Sequence, residues 1–420
     1  MTKPDAGSAT ATAFWRSVGV VLSGSLIAQA IPLIGSLVIA RVYAPAEFGL
    51  FSAWLGMVML AAVVVTARFE MALAVEADGA PRTAAVVATL AMVVLVGTLL
   101  ALVAGLLYWS GSLPGELSVW MVLWWAPAAA LVGVTHTWQA WAAADGSYRH
   151  LSSIRIAQAV VLTVAQIAAG LFAPTAQALA LGHVLGLMGG IAVAALVMPL
   201  RVSVASRRAF VWADFTSFWR RQRRFPLFAL PADAINSAAG QIPLLLIATR
   251  FGAEASGLYA LTLRVLGAPI GLLGAAVLDV FKRNAAVSYR TKGHCRDEYL
   301  RTFWLLAVGA VLLVMGVAVL ADRVFVVAFG EPWRQAGTIA VWLVPMFAMR
   351  FVASPLSYVF YIAGKQHVDL IWQCALLSMT LWAFLSATSF RESVLFYSAG
   401  YSVLYMVYAL LSFRFSRGAV

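Results

Sequence analysis

RVSVASRRAFVWADFTSFWRRQRR, residues 201–224, sets seven arginines against a single acid, Asp214, at the midpoint of a 420-residue chain. Read alone, arginines at this density suggest a nucleic-acid patch. The long apolar runs on either side argue against it. The chain is 63% hydrophobic and 11% charged, with a mean hydropathy of +0.90, where a soluble domain carries about 25% charged residues. A water-soluble fold has nowhere to put that much apolar surface. In lipid the backbone must satisfy its own hydrogen bonds, which leaves helices for segments of this length. The composition therefore predicts an all-α, polytopic membrane protein.

Outward from 201–224, apolar runs of about 20 residues fall at twelve places: 18–40, 48–66, 83–109, 117–142, 152–173, 178–200, 225–249, 256–280, 300–320, 335–362, 366–388 and 394–413. The first resembles a signal peptide, with Arg16 ahead of it and Ala28-Gln29-Ala30 as a cleavage-like site. The apolar run continues to Ala40, so it is expected to be retained as a span. With the N-terminus inside, 22 Lys and Arg collect on one side and 5 on the other, with Arg264 and Arg350 inside spans. This asymmetry places both termini and 201–224 on the cytoplasmic side of the membrane. It also accounts for the net charge of +12 without a nucleic-acid partner. Within 201–224, Val211, Trp212, Phe215, Phe218 and Trp219 share one helical face, the pattern of a helix lying on the inner membrane surface.

Two halves are expected. IPLIGSLVIARVYAPAEFGLFSAW (31–54) aligns with IPLLLIATRFGAEASGLYALTLR (242–264), pairing Pro32 with Pro243, Arg41 with Arg250 and Gly49 with Gly257. AAADGSYRHLSSIRIAQ, entering span five, echoes FYIAGKQHVDLIWQ, entering span eleven. Six spans per half is an even number, so the repeats run in the same orientation about an axis along the membrane normal. The expected organisation is an N-lobe at 1–200 with spans one to six, a basic amphipathic linker at 201–224, and a C-lobe at 225–420 with spans seven to twelve.

Polar residues inside spans mark candidate function, because lipid does not tolerate them otherwise. Asp233, Asn236, Ser237, Gly240 and Gln241 form one face of span seven, and Ser25, Gln29 and Ser36 a similar face of span one. Pro32 in span one, and Pro226, Pro231 and Pro243 in span seven, should bend or break both helices. Arg350 lies midway along span ten, where insertion scales charge an arginine about 2.5–3.5 kcal/mol. Arg264 lies roughly two turns inside span eight. A guanidinium fork suits phosphate oxygens, so Arg264 and Arg350 are candidate ligands for an anionic cargo. The alternative is structural pairing, Arg264 with Asp233 or Arg350 with another acid. Arg68 and Glu70, in TARFEMALAV, sit nearer the interface. His136, Trp138, Gln139 and Trp141 in span four could offer stacking and hydrogen bonds to sugar rings, although packing explains them better. Cys295 and Cys374 are too few and too scattered for a disulfide framework or a metal site. No Walker A motif, cofactor motif or catalytic constellation is present, so the protein is not expected to be an enzyme.

FPLFALPADAINSAAGQIPLLLIATRFGAEASGLYALTLRVLGAPIGLLGAAVLDVFKRNAA (225–286), RFEMALAV, and FGEPWRQAGTIAVWLVPMFAMRFVASPLSYVFYIAGKQ (329–366) together resemble the polysaccharide (O-antigen type) flippases of the multidrug/oligosaccharidyl-lipid/polysaccharide exporter superfamily. That resemblance implies two six-helix lobes around a cationic cavity, which carries undecaprenyl-pyrophosphate-linked oligosaccharide to the outer leaflet by alternating access. It touches Arg264 in LTLRVLGAP and Arg68 and Glu70 in RFEMAL. On this reading Arg264, Arg350 and Arg68 bind cargo, Asp233 or Glu70 carries a coupling proton or cation, and Gln29, Asn236, Gln241 and His136 line the cavity. Partners implied are membrane lipids, a polysaccharide polymerase and a chain-length regulator. A small-molecule or drug antiporter of the same superfamily is the alternative.

Overall fold

The computed structural model describes residues 6–110, 118–200 and 212–418. Every regular element among them is a helix: α1 Ala6–Val42, α2 Pro45–Val65, α3 Ala80–Trp109, α4 Val119–Ala144, α5 Tyr148–Phe172, α6 Ala176–Val197, α7 Trp212–Gln222, α8 Leu230–Lys292, α9 Arg296–Phe329, α10 Arg334–Leu356, α11 Val359–Ile362, α12 Gln366–Ser386 and α13 Phe390–Ser416. Eleven helical runs among the described residues are long and apolar enough to cross a membrane. The count thus differs from the twelve expected, because spans seven and eight lie in one run, Phe225–Lys292, of 68 residues. That run is long enough for two spans of about 20 residues each. It is interrupted at Gly252, where φ 88° and ψ 172° leave the helical region. Only glycine adopts that conformation without strain. The expected breakers act elsewhere: Pro32 and Pro243 lie inside continuous helix, and Pro226 falls in a π-helical turn, Phe225–Ala229, ahead of α8.

Packing divides the chain into two compact units. The first holds residues 1–43 and 54–237, the second 44–53 and 238–420. The expected lobes divide the chain by span; this division is by contact, and it sets 225–237 with the first unit and 44–53 with the second.

In the first unit the helices approach closely because one partner is stripped of side chains. Gly182, Gly186 and Gly190 repeat every fourth residue along α6, and a Cβ on any of them would press on Gln166, Leu162 or Gln158 of α5. Lipid provides no hydrophobic drive for helix association, so this small-residue contact supplies the van der Waals packing instead. On its other side α5 meets α1, where Gly24 abuts Ser152 and Gly35 abuts Thr163. Buried polar ends find partners: Tyr43 Oη donates to the Gln166 carbonyl at 2.7 Å, and Trp54 Nε1 to the Met121 carbonyl at 2.8 Å.

Residues 201–211 of the linker lie outside the described residues. Its remainder, α7, docks on protein: Phe218 is buried and, with Trp219, packs on Phe69 at ring-centroid distances of 5.1 and 5.4 Å. Gln222 Nε2 donates to Glu76 at 2.8 Å, and Arg221 lies 3.9 Å from the same carboxylate.

In the second unit, the repeat-related glycines meet. A Cβ on Gly49 would collide with the Ala253 carbonyl, and one on Gly257 with the Pro45 carbonyl. The contact is reciprocal, 45 with 257 and 49 with 253. Elsewhere Thr262 Oγ1 donates to the Ala336 carbonyl at 3.0 Å, Arg250 donates to the Phe384 and Ala387 carbonyls, and Tyr299 Oη reaches the Ala409 carbonyl at 2.9 Å.

Replacing Gly49 or Gly257 by Val should lower stability by about 1–3 kcal/mol or more, since backbone carbonyls cannot move aside. Gly240→Ala, with open space around it, should be neutral or stabilise by about 0.5–1 kcal/mol. Thermal unfolding of the three variants in detergent measures the contrast.

Candidate functional site

The segment after α2 carries the strongest local distortion. Ala67 (φ 48°) and Arg68 (φ 61°) are the non-glycine residues with positive φ among those described. The left-handed conformation costs a non-glycine residue roughly 1–2 kcal/mol. It turns the chain out of α2 into a 3₁₀ helix, Phe69–Ala74, whose Phe69, Ala72 and Leu73 pack with Val86 and Met92 of α3. This turn points Arg68 and Glu70 at each other. Arg68 Nη1 lies 3.0 Å from Glu70 Oε1, and Arg68 Nε lies 2.8 Å from Asp233 Oδ2. The Nε contact misses hydrogen-bond geometry, so it is an ion contact. Glu70 is 7% exposed and its Oε2 has no hydrogen-bond partner. Arg68 is thus held between two carboxylates, and Asp233 pairs with Arg68.

The other candidates of the first unit scatter around this clamp. His136, on α4, is exposed and within electrostatic reach of Glu70, Arg68 and Arg155. Gln29 and Asn236 are exposed on α1 and α8. Two residues were not singled out by sequence reading. Arg155, counted among the 22 charges of the cytoplasmic side although the expected span 152–173 contains it, lies in the third turn of α5 and bonds sideways, Nη1 to Ser25 Oγ at 2.9 Å and Nε to Gln139 Oε1 at 3.2 Å. The signal was present as Arg155 and Gln158 at i, i+3, on one helical face.

In the second unit Arg350 is exposed on α10 and lines a cavity of about 250 Å³. Gly267, Gly271 and Gly274 of α8 form the facing wall, with Phe347 and Ser354 beside Arg350. Arg350 also stands within electrostatic reach of Tyr397, Tyr401 and Tyr405, one face of α13. No carboxylate lies within 4.0 Å of it among the described residues. Arg264 is half-buried on the α8 face that carries Gly267 and Gly271, and Gln241 is half-buried near the start of this unit. Asp369, which the sequence reading passed over, is buried and accepts hydrogen bonds from Tyr408, from Tyr361 at 3.1 Å and from Gln373 at 3.1 Å. Outside the spans, burial and the nearby Glu298 carboxylate push the Cys295 thiol up to about 11. It is therefore protonated at neutral pH and supplies no nucleophile.

Removing Arg68 would strand Glu70 as a buried charge. Arg68→Ala should cost about 3–5 kcal/mol, and adding Glu70→Gln should recover part of the loss. Denaturant or thermal unfolding of the single and double variants checks both.

A family profile described as "Polysaccharide biosynthesis protein" matches residues 38–338. The teichuronic acid biosynthesis protein TuaB of Bacillus subtilis is 23% identical over 197 residues, 44% of this chain and 41% of that protein, so the match spans less than half of the relative's length. Among solved structures, the lipid II flippase MurJ in an inward closed conformation superposes with a TM-score of 0.69 at 9% identity, over 94% of this chain and 87% of that one. An inward-facing multidrug resistance MATE family transporter of the MOP superfamily superposes with a TM-score of 0.67 at 15% identity, over 92% and 94%. At these identities the superpositions establish fold. The chain is a multi-pass membrane protein that belongs to the polysaccharide biosynthesis protein family and has the fold of MOP-superfamily transporters.

Proposed function

We propose that the protein moves oligosaccharide linked to a polyprenyl pyrophosphate from the cytoplasmic to the outer leaflet of the bacterial inner membrane, by alternating access. The observation that carries this reading is Arg350. A guanidinium on a membrane-spanning helix, open to a glycine-walled cavity and without a carboxylate within 4.0 Å among the described residues, is an unneutralised charge in a costly place. A phosphate oxygen would neutralise it, accepting two parallel hydrogen bonds from the fork. Family membership supports a glycan-related cargo.

Arg264 is assigned a supporting cargo contact on the α8 face that walls the cavity. Arg68 belongs to the coupling element: a proton or cation on Asp233, whose side chain is 35% exposed against 8% for Glu70, would loosen the clamp. Gln29, Asn236, Gln241 and His136 remain proposed cavity-lining residues, and the termini and 201–224 are assigned to the cytoplasm. The lobes at 1–200 and 225–420 are proposed as the moving parts. A polymerase and a chain-length regulator would receive the exported unit. No covalent step and no cofactor are involved.

Glycan export by cells carrying this protein as their flippase tests the reading. Arg350→Gln should reduce export more than 10-fold at unchanged protein level. Gly271→Leu, which fills the cavity from a position with open space around it, should do the same. Full export by both variants would overturn the assignment of the cavity. Export of cationic dyes in place of glycans would favour the drug-antiporter alternative.

A further inference from the structure

The first unit contains a second unneutralised cation, Arg155, and its surroundings differ in kind from those of Arg68. Arg155 starts seven residues into α5, about 10 Å along the helix at 1.5 Å per residue, where an arginine at a membrane edge would be expected to turn outward to the headgroups. Instead it turns across α1 and α4, donating to Ser25 Oγ and Gln139 Oε1. Both partners are neutral, and no carboxylate lies within 4.0 Å of it among the described residues.

The direction of the hydrogen bonds decides what the site can accept. An arginine only donates, so Gln139 must present its oxygen to Arg155 and its amide nitrogen outward. That nitrogen donates to Gln158 Oε1 at 3.4 Å, which in turn leaves the Gln158 NH₂ group facing onward. Nε and one Nη1 hydrogen of Arg155 are used, while the second Nη1 hydrogen and both on Nη2 are uncommitted. The cluster therefore presents the remaining Arg155 hydrogens and the Gln158 amide as donors, with His136 nearby, and the Arg155 charge favours an anion over a cation there.

We propose that Arg155, Gln139 and Gln158, steered by Ser25, form an oxyanion subsite of the first unit that binds the charged part of the cargo. The proposal rests on the glycan-lipid reading for its cargo, but not for its chemistry. Two sources can supply the oxyanion, the pyrophosphate linkage or the carboxylate of an acidic sugar, and both would be held through the same donors. Arg68 differs, because two carboxylates already lie against it.

Thermal stabilisation of the purified full-length protein by inorganic pyrophosphate, with glucuronate as a parallel arm and chloride at equal ionic strength as control, reads the site directly. Wild type should be stabilised by one of the two anions beyond chloride. Arg155→Gln should weaken that binding at least 10-fold, and Arg155→Lys should lose less. Pyrophosphate as the stronger arm identifies the linkage; glucuronate identifies an acidic sugar. If Arg155→Gln fails to fold, phenylglyoxal labelling of wild type replaces it: the bound anion should slow modification of Arg155 and leave Arg250, which is tied to backbone carbonyls, unchanged. Equal binding by wild type and Arg155→Gln, or unprotected Arg155, overturns the proposal. Loss of anion binding in Arg155→Gln alongside a wild type that exports no glycan would leave the subsite standing and sink the cargo reading.

Discussion

A charge placed among membrane-spanning helices must be neutralised, and how each arginine of this protein meets that requirement separates its architecture from its chemistry. Arg68 meets it internally, held by Glu70 and Asp233. Arg250 meets it through the Phe384 and Ala387 carbonyls at a helix end, where carbonyls are left over and carry partial negative charge. Arg155 and Arg350 have no carboxylate within 4.0 Å among the described residues. In the first pair the protein completes its own electrostatics. In the second no carboxylate of the described residues does so, which is why we propose these two arginines, in separate units, as contacts for an anionic cargo.

The scaffold that holds these charges depends on close backbone approach. Glycine at every fourth position of α6 lets α5 lie against it, which fixes the register of Gln158 and, one turn earlier, of Arg155. Gly49 and Gly257 allow reciprocal contact between repeat-related segments in the second unit. The glycines of α8 serve the opposite purpose: Gly267, Gly271 and Gly274 have nothing closer than 4.0 Å to a Cβ position, and what they leave is the cavity in front of Arg350.

Much of this was legible in the chain. The helical class followed from hydropathy, and the pairing of Gly49 with Gly257 was visible as alignment before it was visible as contact. The misses have physical causes. The helices that hold Pro32 and Pro243 run through both residues, and the interruption at Gly252 falls between the expected spans seven and eight, where glycine alone takes φ 88° without strain. Arg155 was counted with the cytoplasmic charges because counting charges by side ignores where a long side chain turns. The pairing of Arg68 with Asp233 spans 165 positions, and no local pattern encodes a contact at that separation. Asp369 was passed over because its tyrosine partners lie on other turns and helices and give no periodic signature.

The account stands or falls on whether this protein translocates a lipid-linked glycan. Proteoliposomes holding the purified protein and a fluorescent undecaprenyl-pyrophosphate oligosaccharide, probed by a membrane-impermeant glycan-modifying reagent on one face, measure this directly. The account predicts that the fraction of accessible lipid rises beyond the half exposed in protein-free vesicles toward completion, and that Arg350→Gln returns it to the protein-free level. An accessible fraction that never exceeds that of protein-free vesicles, with folded protein present, would contradict it.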